Sequence, residues 1–60
     1  MDYARSTTNQ KSKGYNLAGD AYWKAGKFKF AREQYNQALS YEPQNAHAKE
    51  FLARLQSLGY

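Results

Sequence analysis

Proton chemistry in this chain would fall to Asp20, Glu33, Glu42, Glu50 and His47. General acid and base catalysis needs two such groups in environments that drive their pKa values apart. Asp20, Glu33, Glu42 and Glu50 show no such pairing, and His47 has no acid or nucleophile evident around it in the sequence. With no cysteine, the chain can form neither a disulfide nor a thiolate zinc site, and a single histidine cannot hold a metal alone. Gly14, Gly19 and Gly26 do not fit a glycine-rich phosphate turn, which follows a strand. The residues therefore point away from an enzyme, a cofactor or a metal, and towards a surface that holds something.

Nine Lys and Arg against five Asp and Glu give a net charge of +4, which favours acidic partners at low salt. The positive residues are spread along the chain. Lys24, Lys27, Lys29 and Arg32 come closest to a patch, with Trp23, Phe28 and Phe30 interleaved, so phosphate contacts and base stacking form one alternative function. Against nucleic acid, Phe28 is needed in a core and these basic residues fall on different sides of a helix. Trp23 stands apart, because it follows Tyr22 by one step and the two cannot enter the same interface. A tryptophan left at a surface is the residue type most enriched in binding hot spots.

Helices must position these residues. Tyr15, Ala18, Tyr22 and Ala25 recur three or four apart, as do Phe28, Ala31, Tyr35 and Ala38, and Gly26 and Lys27 separate the two runs. This predicts an all-α, antiparallel helix-turn-helix hairpin. Residues 1–11 lack a usable period and are expected to be a flexible lead-in, with Ser12 or Thr8 capping a first helix that stops at Gly26. The second helix runs from Phe28 to Ser40 or Tyr41, before Pro43 ends it. Asn45 caps a third helix over residues 46–58, with Ala48, Phe51, Leu52, Leu55 and Leu58 as its apolar stripe, and residues 59–60 close the chain. A 60-residue chain buries only about 60% of its unfolded surface, so one small domain is the limit. Nothing in it is long and apolar enough for a membrane span or a secretion signal, and a soluble, cytoplasmic chain is expected.

Tyr15, Gly19, Tyr22, Ala31, Tyr35, Ala38 and Pro43 stand at the spacings of the tetratricopeptide repeat, with Gly26 at its usual turn. The chain resembles that family over residues 12–45, as a single repeat followed by a capping helix. Ala18 departs from the pattern, which has leucine there. The resemblance gives Gly19 and Ala31 the role of small residues at a close helix crossing, and it implies a non-catalytic scaffold that binds a protein or peptide along a groove lined by first helices. On this chain the groove would comprise Lys13, Asn16, Asp20, Trp23 and Lys24, continued by His47, Glu50 and Arg54. Members that hold acidic chaperone tails use a lysine and asparagines where this chain has Asn16 and Asp20, and an aspartate there would repel a carboxylate. The hairpin is also similar to the three-helix domain of microtubule-interacting and trafficking proteins, which binds short helical motifs. Tyr3, Trp23, Phe30, Tyr41 and Tyr60 are surplus to a hairpin core. Weak self-association through Phe30 and the uncapped N-terminal side is the corresponding expectation.

Overall fold

In a computed structural model, the chain forms three helices: α1 over Tyr3–Lys24, α2 over Phe28–Tyr41 and α3 over Ala46–Ser57. The structure describes residues 3–60, with side chains from Gln10 onward. Both helix breaks are local in origin. Gly26 takes φ +77°, Lys27 N donates to Tyr22 O at 2.9 Å and Gly26 N to Trp23 O at 3.0 Å. This paired closure satisfies the last carbonyls of α1 and requires a residue without a Cβ at the left-handed position. Before Pro43, Glu42 is extended at φ −140° and ψ 90°, and α2 stops there. Asn45 then caps α3, its side chain accepting from Ala48 N at 3.0 Å.

The core is small and centred on α2, which packs against both other helices. Ala31, Tyr35, Ala38, Ala48 and Leu55 are fully buried, with Tyr15, Tyr22, Trp23, Phe28, Phe51 and Leu52 among the rings and chains packed around them. At the α1–α2 crossing a Cβ on Gly19 would lie 2.7 Å from Cε1 and Cζ of Tyr35, so only glycine admits the buried ring. Ala31, on α2, has no exposed surface.

Three sequence expectations are corrected. First, α1 begins at Tyr3 and not at Ser12. Ser, Thr and Asn are poor but tolerated helix residues, no proline interrupts them, and a helix already nucleated by packing extends at one hydrogen bond per residue. The proposed flexible lead-in over residues 1–11 is thus helical from Tyr3 on; Met1 and Asp2, and the side chain of Thr8, lie outside the described residues. Second, Ser12 is not a cap but a buried residue inside α1, donating its hydroxyl to Ala38 O of α2 at 3.1 Å. Third, Leu58 leaves the apolar stripe and is mostly exposed. Helix α3 ends at Ser57, and Gly59 at φ +97° turns the chain so that Tyr60 N reaches Leu55 O at 2.9 Å. The ring of Tyr60 then lies 5.3 Å from that of Phe28, while Arg32 Nη1 donates to its carbonyl at 2.7 Å.

Candidate functional site

One face of α1 carries Lys13, Leu17, Asp20 and Lys24, spaced by four, three and four residues. Where this face meets α3 an open groove of about 500 Å³ is lined by Leu17, Asp20, Ala21, Trp23, Lys24 and Phe51. A shallower hollow of about 280 Å³ lies alongside, bordered by Lys13, Asn16 and His47 and sharing Leu17 and Asp20 with the groove. Leu17 is 70% exposed, which puts an aliphatic side chain in water with aromatic walls on one side.

Trp23 forms the wall. Its ring meets Phe28 edge-on at 5.3 Å and Phe51 edge-on at 5.0 Å, so it ties both neighbouring helices to α1 and is only half buried. Tyr22, one step away, turns elsewhere and stacks on Phe30 at 5.5 Å. Phe30 itself is 51% exposed. Of the remaining surplus rings, Tyr41 stacks on Tyr15 at 5.7 Å beneath Lys11, whose ammonium is 5.4 Å from the Tyr41 ring centre.

Asp20 is the electrostatic centre of the face. Its Oδ1 accepts the Tyr35 hydroxyl and also the Nε2 proton of His47 at 2.9 Å. Burial pushes the Asp20 carboxyl up, but the hydrogen bonds from Tyr35 and His47 and the charges of His47 and Lys24 outweigh it and hold the group below its ordinary value. Burial, and then the bond to Asp20, push the Tyr35 phenol far up. His47, which has no acid beside it in sequence, therefore has one in space, 27 residues away. The carboxylate and imidazole are committed to each other and to Tyr35. Among the described residues no group of three His, Cys, Asp or Glu side chains is placed to hold a metal.

The other expected site residues divide. Asn16 turns away from the open groove, its Nδ2 donating to Asn45 Oδ1 at 3.2 Å while its own Oδ1 is buried without a partner among the described residues. Asn45 passes the chain on, its Nδ2 donating to Ser12 Oγ at 2.6 Å. Glu50 and Arg54 pair with each other at 2.9 Å, one turn apart and well exposed, with the Arg54 guanidinium 5.4 Å from the Phe51 ring centre. Such a pair contributes little to stability. Leu17, Ala21 and Phe51 line the groove although sequence reasoning did not place them there. For Leu17 the signal was present, since a leucine four residues after Lys13 and seven before Lys24 must share their face.

A glycine-closed hairpin with a third helix laid along it, and an open apolar groove where the first helix meets the third, defines a unit of a helical-repeat scaffold. The family model described as tetratricopeptide repeat matches residues 12–45, more than half of the 60-residue chain. The chain belongs to the tetratricopeptide repeat family, a family of non-catalytic protein-interaction scaffolds. No curated protein and no solved structure was found to match it. Among the described residues no helix is long and apolar enough to cross a membrane.

Proposed function

We propose that this chain is a protein-interaction module that binds a peptide or a segment of a partner protein in the groove between α1 and α3, with no catalysis of its own. The observation that carries the reading is Leu17. A leucine 70% exposed in the lining of a 500 Å³ groove, beside Trp23 and Phe51, gains by being covered, whereas solvated polar faces do not. Asp20 and Lys24 border the same opening, Lys13 and His47 border the hollow beside it, and together they would set orientation. Asn16, Glu50 and Arg54 contribute indirectly, the first by holding Asn45 and the other two as a neutral pair beside Phe51.

The nucleic-acid alternative loses support from the basic residues themselves. Arg32 is engaged by the Tyr60 carbonyl, and Phe28 is taken up by contacts with the Trp23 and Tyr60 rings. Peptides selected from a random library on the immobilised protein, then mapped by NMR, test the proposal. Shift changes are expected at Leu17, Ala21, Trp23 and Phe51, and Leu17→Ser should abolish them with helicity intact. Changes confined to Lys27, Lys29 and Phe30 would overturn the groove. So would tight oligonucleotide binding that falls steeply between about 50 and 200 mM salt.

A further inference from the structure

We propose that the segment held in this groove is extended and acidic, with two carboxylates about five residues apart and one bulky apolar side chain between them. The inference rests on the groove reading and adds the chemistry of the occupant. Lys13 and Lys24 stand at the two ends of the α1 face, both exposed, and no ion pair among the described side chains engages either. They are eleven positions apart, about 16 Å along a helix at 1.5 Å per residue, and an extended peptide covers that length in about five residues at 3.3 Å each. Between them lies the apolar lining of the groove, Leu17, Trp23 and Phe51, which takes the bulky side chain.

Asp20 decides the middle. Held as a carboxylate by Tyr35 and His47, it sits between the two lysines and repels a negative group placed at the centre of the groove. A chain-terminal carboxylate laid there is thereby excluded, while acidic groups at both ends are accepted. Two ammonium groups against one carboxylate leave the face positive, since Glu50 and Arg54 neutralise each other. The net charge of +4 adds attraction on approach.

Three capped peptides, titrated against the intact chain by Trp23 fluorescence, test this. One has two glutamates five apart around a leucine, one has lysines in place of the glutamates, and one keeps the glutamates but has glycine in place of the leucine. The glutamate peptide should bind roughly tenfold more tightly than the lysine peptide, the sum expected of two exposed charge pairs. The preference should shrink towards none at about 1 M salt. Lys13→Glu combined with Lys24→Glu should reverse the order of the two peptides. Equal binding of the two in the wild type, or an order unchanged by the double substitution, overturns the acidic preference and leaves the groove standing. Equal binding of the glycine peptide, or insensitivity to Leu17→Ser, overturns the groove itself. Failure of all three peptides to bind at millimolar concentration overturns the proposal.

Discussion

Two of the places where α1 is joined to the rest of the molecule solve the same problem by opposite means. At Gly19 the helices approach until a side chain is excluded, and the Tyr35 ring occupies the space, stacked on Phe51 at 5.4 Å. Two turns earlier the join is polar and buried. Ser12, Asn45 and the Ala38 carbonyl are joined there by directed hydrogen bonds, with Asn16 donating into the same amide. The first junction is specified by volume and tolerates no addition. The second is specified by donors and acceptors and tolerates no deletion.

The sharpest way to break the contrast is to add volume at the first junction. Gly19→Leu and Ala31→Leu are each expected to destabilise the hairpin by at least the ~1–3 kcal/mol usual for overpacking, enough to unfold a domain this small. Circular dichroism melts with unchanged helicity and midpoint in both variants would remove the steric crossing. At the second junction, Asn45→Ala loses the cap of α3 and leaves Ser12 and Asn16 without their shared partner, about 2 kcal/mol in total. Because Ser12 and Asn45 act through one network, Ser12→Ala made in the Asn45→Ala background should cost less than it does in the wild type. Strict additivity in urea titrations would show that the polar junction is not a unit.

A smaller effect belongs to the first junction alone, through Tyr35, whose ring fills the crossing and whose hydroxyl holds Asp20. A carboxyl with a folded pKa below its unfolded value binds fewer protons in the folded state. Its stabilisation is therefore complete above the ordinary carboxylate value, roughly pH 4, and disappears as pH falls through the lower folded value. Tyr35→Phe and Asp20→Asn should both flatten the acid limb of a stability–pH profile below about pH 4 and leave its shape near neutrality unchanged. An acid limb identical to wild type in both would dissociate Asp20 from the fold. The smallest change has the opposite sign. Gly14 lies within α1, and a methyl added there would meet nothing within 4 Å, so Gly14→Ala should stabilise by up to ~1 kcal/mol, read as a rise in melting midpoint.

How much of this was legible follows the range of each interaction. Gly26, Pro43, Asn45 and Gly59 act within a few residues of themselves, and the turns and caps they make are readable in the chain. The Gly19 crossing was readable through its spacing with Ala31 and Tyr35. Ser12 was not, because a serine near a helix start has the same appearance whether it caps or bonds across an interface, and its partners are 26 and 33 residues away. The extent of α1 is hidden because residues 3–11 hold no stop signal but also no apolar stripe to announce a helix. Asp20 and His47 each belong to the expected groove, but their pairing exists only once α3 is laid beside α1. Leu17 was legible in principle, since its spacing from Lys13 and Lys24 puts it on their face, but a lone leucine there carries no mark of exposure.

Asn45 has a consequence for how the molecule comes apart. One amide starts α3, holds α1 through Asn16 and Ser12, and through Ser12 reaches the carbonyl of Ala38 on α2. A terminal helix held only by its apolar stripe could fray while the hairpin stayed shut, as neighbouring units of a solenoid do. Here the proton of Ala48 N, bonded to Asn45 Oδ1, is guarded by the same group that latches the middle of α1. Its exchange with solvent is expected to follow the opening of the whole molecule and not of α3 alone.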